Sequence, residues 1–165
     1  MSWNPMERIK YGEIGGIDQE RFSFSLVKAK SDSMDMGGMH CFHPDVAVKY
    51  GVGESIILNR ICSMMLENIK NKANKHAGLY WTLVPTDEVL TVYHPYFSVR
   101  EYRGRVENLI KAGAILKANW NTFKLDPTLW YTVVDNFVLE KYGLPTVYIT
   151  GNGRKLTIQQ LIESL

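Results

Sequence analysis

The sequence predicts an α+β fold: a winged helix-turn-helix with a small antiparallel sheet and short N- and C-terminal additions. Three observations carry this. Residues 98–112 repeat apolar side chains with helical spacing. A short helix-forming run and a tight turn, His94-Pro95-Tyr96-Phe97, stand directly before them, which is the order of a helix-turn-helix. Two strand-forming runs then follow, Ile115–Trp120 and Leu129–Val134, separated by the turn formers of Asn121–Thr128, and such a trailing hairpin is a wing. The expected divisions are an N-terminal extension over 1–40, the winged helix-turn-helix over 41–135 and a C-terminal extension over 136–165.

The elements follow in chain order. Phe22, Phe24 and Leu26 alternate with serines, so Arg21–Val27 reads as a short strand. Lys30–Met39 has no periodicity and reads as a loop. Pro44 and Asp45 open a helix that Gly51 stops. A longer helix spans about Glu54 to Asn74, its apolar stripe formed by Ile57, Ile61, Met64, Met65 and Ile69. Gly78 breaks it, and Leu79–Val84 is rich in β-formers. Thr86 and Asp87 can cap a short helix to about Tyr93. Pro95 disfavours helix at His94 and so forces the turn. Ser98 with Glu101 fits a capping box, and Gly113 ends that helix. Beyond Val134, Pro145–Thr150 reads as a strand, Gly151-Asn152-Gly153 as a turn, and Thr157 with Gln160 as the cap of a last helix.

Composition is that of an ordinary globular chain: 165 residues, 45% hydrophobic and 22% charged. Two cysteines, Cys41 and Cys62, are too few for a disulfide framework and fit a reduced, cytoplasmic setting. No apolar run reaches the roughly 18 residues that span a bilayer, so no membrane role is expected.

The net charge is only +2, so the placement of charge matters more than its sum. Phe97–Lys124 carries six basic residues, Arg100, Arg103, Arg105, Lys111, Lys117 and Lys124, against two acidic ones, Glu101 and Glu107. On a helical wheel Val99, Tyr102, Val106, Leu109 and Ile110 share the face that packs on the domain. Arg100, Gly104, Asn108 and Lys111 lie opposite, with Arg103 and Arg105 on the flanks. An α-helix fits the major groove of B-DNA, where Arg can pair with guanine and Asn with adenine. Glycine inside a helix costs about 0.5–1 kcal/mol relative to alanine, so Gly104 is either a close-approach position or surface drift. The expected DNA-binding residues are Ser98, Arg100, Arg103, Gly104, Arg105, Asn108 and Lys111, with Lys117 and Lys124 reaching the backbone from the wing. The competing reading is a solvated helix with intrahelical pairs such as Arg103–Glu107.

Three stretches also resemble a known group: Tyr80-Trp81-Thr82, then FSVREYRGRVENLIKAGAI at Phe97–Ile115, then DPTLWYTV at Asp126–Val133. Together they are similar to the winged-helix domain of bacteriophage and plasmid replication proteins, the initiators and replisome organisers. The resemblance covers about half the chain. It implies double-stranded DNA as partner and a role in replication initiation, with transcription regulation as the other role for this fold. The alternative, from a different class, is a winged-helix protein-interaction module, such as a small phage protein that binds a host factor. A homodimer fits either reading.

Other chemistry is weaker. Met34, Met36, Met39, His40, Cys41 and His43 could supply soft metal ligands, but they lack zinc-finger spacing and a loop is the plainer reading. Gly151-Asn152-Gly153-Arg154-Lys155 lacks the spacing of a phosphate loop. The tryptophans and tyrosines on the strands read as core rather than as a stacking platform. No Ser/His/Asp, Cys/His or paired-carboxylate arrangement stands out. The expectation is therefore a non-enzyme with no catalytic residues, no cofactor and no metal.

Overall fold

The computed structural model describes residues 40–84, 93–123 and 125–165. They fall into two compact units, His40 with 93–99 and the remainder, and each is described by itself. The protein is α+β, with five helices among the described residues and three small antiparallel sheets. The expected strand at 21–27, the loop at 30–39, Lys124 and nearly all of the expected short helix at 86–93 lie outside the described residues.

In the larger unit, α1 (Pro44–Tyr50) starts at His43, whose ring nitrogen accepts from the Asp45 N–H at 3.2 Å. Gly51 links it to α2 (Val52–Asn71), as the sequence predicts to within three residues at either end. Ile57, Leu58, Ile61 and Met65 form its buried stripe. Met64, expected on that stripe, is only half-buried.

The expected strand at 79–84 is two strands. β1 (Lys75–His76) pairs with β2 (Leu79–Tyr80) across the two-residue turn Ala77-Gly78. Both turn residues have positive φ, 49° and 83°, the geometry that matches the twist of a tight hairpin. Trp81 then interrupts the run. Its N–H donates to the Asn74 carbonyl, its indole N–H to the His76 carbonyl, and its own carbonyl accepts from Asn68. β3 (Thr82–Leu83) leaves in a new direction and joins another sheet.

That sheet is the centre of the unit. β4 (Ile115–Ala118) and β5 (Trp130–Val133) form the expected hairpin, and β3 adds to the far side of β5, giving the order β3-β5-β4. Ile115 opposes Val133 and Ala118 opposes Trp130. Trp81, Ile115 and Val133 are buried, as are the α2 side chains, and the Val133 N–H lies 3.3 Å from the Met65 sulfur of α2. The sheet is thus backed by α2.

α3 (Val99–Lys111) precedes the hairpin. Tyr102, Val106 and Leu109 are buried as the apolar pattern requires, whereas Val99 is exposed and Ile110 half-buried. Its C-terminus closes in a Schellman arrangement: Gly113, at φ 72°, donates to Ile110, and Ala114 donates to Leu109.

α4 (Asn136–Lys141) was not legible in the sequence pattern. Asp135 caps it by accepting from the Phe137 N–H. It packs on α1 through Lys141–Asp45 at 2.6 Å and Lys49–Asp135 at 2.7 Å. β6 (Val147–Ile149) and β7 (Lys155–Thr157) flank the Gly151–Gly153 turn, and Thr157 with Gln160 forms the expected capping box of α5 (Ile158–Ile162). A Cβ on Gly78 would fall 2.7 Å from Leu161, so α5 lies against the β1–β2 turn. Residues 136–165 therefore pack within the same unit as α1, α2 and the β3-β5-β4 sheet.

In the smaller unit the Phe97 N–H donates to the His94 carbonyl across the expected turn. Two histidine rings meet one hydroxyl there: His40 Nδ1 lies 2.6 Å and His94 Nδ1 3.1 Å from the Tyr96 oxygen. Among the described residues, no helix is long and apolar enough to cross a membrane.

Candidate nucleic-acid interface

The amphipathic pattern of α3 buries one face and leaves the rest to water, and that exposed surface divides into two stripes with different fates. The first is Glu101, Arg105 and Asn108, at spacings of four and three. The second is Arg100, Arg103, Gly104, Glu107 and Lys111, at spacings of three, one, three and four.

The first stripe faces the start of α2. Arg105 bonds Glu54 Oε2 through Nη1 and Glu101 Oε1 through Nη2, both at 2.9 Å. Asn108 adds a longer contact, its amide donating to Glu54 Oε1 at 3.3 Å. Glu54 is buried, in the first turn of α2, where the helix dipole favours a negative charge. The guanidinium lies directly over Gly53: a Cβ there would fall 2.4 Å from Arg105 Nη1. Gly53, Glu54 and Arg105 thus clamp α3 to α2. Arg105, expected in the groove, is a structural residue, because a buried carboxylate without a cation would be strongly unfavourable. Asn108, also expected to read bases, remains exposed but is tethered to the same carboxylate.

The second stripe is open. Arg100, Arg103, Gly104 and Lys111 are all exposed, and among the described residues none of these three cations makes an ion pair. Nothing lies within 4 Å of the position a Gly104 Cβ would take, so no internal packing requires glycine there. The expected intrahelical pair Arg103–Glu107 does not form. Glu107 instead bonds Lys117 of β4 at 2.9 Å. That hydrogen bond and the lysine's charge hold the Glu107 carboxyl below its usual range and raise the Lys117 ammonium above its own. The contact ties the β4–β5 hairpin to α3 and occupies one lysine of the expected set. Tyr131 on β5 lies near these charges; burial raises its hydroxyl, while Lys117 and Arg103 pull it down. Ser98, at the head of the helix, is exposed.

A second polar cluster borders an open cleft of about 570 Å³, lined by Lys49, Tyr50, Gly113, Asp135 and Gln159 among others. Burial raises the Asp135 carboxyl, but hydrogen bonds from Lys49, Tyr50 and the Phe137 N–H outweigh it and hold it below its usual range. Its oxygens are occupied by a helix cap and an ion pair, which is a structural arrangement. Of the soft-ligand residues, His43 caps α1 and Cys41 is an exposed thiol. Burial pushes the Cys62 thiol well above its usual range, which removes it as a nucleophile. Among the described residues no three His, Cys, Asp or Glu side chains come together as a metal site would need.

Reasoning from the sequence missed Glu54. The signal was present: two glycines, Gly51 and Gly53, immediately precede it at the start of a helix. Compared with protein-family models, curated proteins and solved structures, the chain matches none.

Proposed function

We propose that this chain is a winged-helix protein that holds double-stranded DNA, acting in replication initiation or transcription regulation, with the open stripe of α3 in the major groove. The observation that carries the reading is the separation of the two stripes. The clamp holds Arg105 through both terminal nitrogens, yet Arg100, Arg103 and Lys111 stay exposed along one line with no carboxylate bonded to them among the described residues. A row of unpaired cations on a helix is what a phosphate-lined groove requires. The sheet order supports the same reading, because β3, ahead of α3 in the chain, pairs with β5, the second strand of the hairpin that follows α3, which is the strand order of a winged helix. In this arrangement Arg100 and Arg103 approach base edges near the helix N-terminus. Lys111 meets phosphate, and Lys117 joins them when a phosphate displaces Glu107.

The test is fluorescence anisotropy with a labelled random 30-mer duplex, titrated at low and physiological salt. The reading expects micromolar, salt-sensitive binding. A folded protein that shows no binding at low salt sinks it. A heterologous protein captured by the open stripe would then favour the interaction-module alternative.

A further inference from the structure

We propose that the tip of the β4–β5 hairpin drives Phe123 and Leu125 between base pairs of the bound duplex. This rests on the DNA-binding reading above and adds a mode of contact to it. Phe123 is 68% exposed and Leu125 81%, although both are large apolar side chains.

The loop that presents them is built, not slack. The Asn121 amide donates to the carbonyls of Asp126 and Thr128, at 3.1 and 2.7 Å, and its oxygen accepts from the Trp130 indole at 2.7 Å. Asn119 donates to the Asp126 carbonyl as well. Asp126 accepts from the Thr128 N–H and hydroxyl, at 2.9 and 2.6 Å. The polar side chains thus turn inward and brace the loop, while the apolar ones point to water. That is the reverse of what solubility favours.

Charge selects the occupant. Between Ile115 and Tyr131 the sequence holds two lysines, Lys117 and Lys124, and a single acid, Asp126. Asp126 stays a carboxylate, held below its usual range by the Thr128 hydrogen bonds, and it is turned into the loop rather than paired with a lysine. By sequence the hairpin carries one more cation than acid, and it is joined through Lys117 and Glu107 to the helix whose exposed cations are Arg100, Arg103 and Lys111. A polyanion fits that surroundings better than an apolar protein face. Phe and Leu are also among the side chains that wedge between base steps, unstack them and kink a duplex. A braced loop suits this use, because a wedge must not fold back under load.

The test uses the full chain and a duplex carrying 2-aminopurine at successive positions, with a donor and acceptor dye on the ends of a second copy. Base unstacking raises 2-aminopurine fluorescence, and kinking raises energy transfer. Wild type should raise both on binding. F123S/L125S should keep salt-sensitive binding, weakened by about tenfold, and lose both signals. Both substitutions are at exposed positions, and an unchanged melting temperature would show that the fold persists. Binding by wild type without either signal overturns the wedge and leaves the DNA-binding reading intact. Equal signals from F123S/L125S also overturn it. Absence of any duplex binding overturns both readings. A wild-type dimer that F123S/L125S converts to monomer in sedimentation, with no effect on DNA, assigns the tip to a second copy and likewise overturns the wedge.

Discussion

Arg103 and Arg105 stand two residues apart on the same helix and do different work. Arg105 lies flat over Gly53, held by Glu54 and Glu101; Arg103 is exposed, with no carboxylate bonded to it among the described residues. The two glycines repeat the contrast. Gly53 is covered by a guanidinium that a methyl group would displace, and Gly104 faces open space. The lesson is that a charge excess read along a segment mixes two populations. Some of the cations hold the protein together, and only the remainder is available to a partner. Here the six basic residues of α3 and the hairpin segment after it include one clamp, Arg105, and one tethered lysine, Lys117.

The sharpest way to break the comparison is to remove cations from each stripe separately. R100A/R103A should abolish measurable duplex binding at physiological salt. At low salt it should leave a slope of log affinity on log salt that is shallower by about 1.8, two phosphates at about 0.9 each. Its denaturation midpoint should match wild type, because both residues are exposed and make no ion pair among the described residues. If the folded double variant binds as wild type does, the open stripe is not the contact face.

The clamp should show the opposite pattern. E54A removes the carboxylate that Arg105 and Asn108 share. Breaking a fully buried pair destabilises by about 3–5 kcal/mol. Arg105 keeps about 30% of its side chain exposed, so about 2–3 kcal/mol is expected, read from urea denaturation. R105A, which strands the buried Glu54 carboxylate, should cost at least as much, and E54A/R105A should recover part of the R105A loss. Duplex affinity of folded E54A should stay close to wild type. A stable E54A that has lost DNA binding would contradict the division between stripes.

Asp135 offers a third test, away from both stripes. Its carboxyl is held below the unfolded value of about 3.9. The stability it contributes is therefore fully present above that value and is lost as pH falls through the lowered folded one. Wild type should lose more stability between pH 6 and pH 2.5 than D135N, with the difference confined to the acid limb of the curve (both pH values being about two units and one unit from the unfolded pKa). Parallel curves would mean that the Lys49–Asp135–Tyr50 network contributes nothing measurable.

Much of the fold was legible because local chemistry and global packing agree. The hairpin followed from two strand-forming runs around Asn, Asp and Pro, and α5 from a capping box that forms as written. The failures have physical causes. Residues 79–84 look like one strand because β-propensity says nothing about direction, and the Asn68–Asn74–Trp81 contacts that divide it are tertiary. α4 is six residues long, too short for a periodic signal, and its Asp135 cap is recognisable only once α1 is beside it. At the candidate site, the wheel separated buried from exposed correctly for Tyr102, Val106 and Leu109. It could not separate a free arginine from a clamped one, because Glu54 is about fifty residues away in the chain.

The smallest effects sharpen the contrast within the open stripe itself. E107Q removes the carboxylate that occupies Lys117. Both side chains are well exposed, so the melting temperature should not move. Binding should tighten, and the salt slope should steepen by about 0.9 as Lys117 becomes free to meet a phosphate. G104A should stabilise the helix by about 0.5–1 kcal/mol, since a methyl group there meets nothing within the protein. Its effect on affinity then decides between the two readings of Gly104. Weaker binding by a more stable protein means that the groove wall approaches the helix at this position. Unchanged binding means that the glycine is surface drift, and the contact face is then defined by Arg100, Arg103 and Lys111 alone.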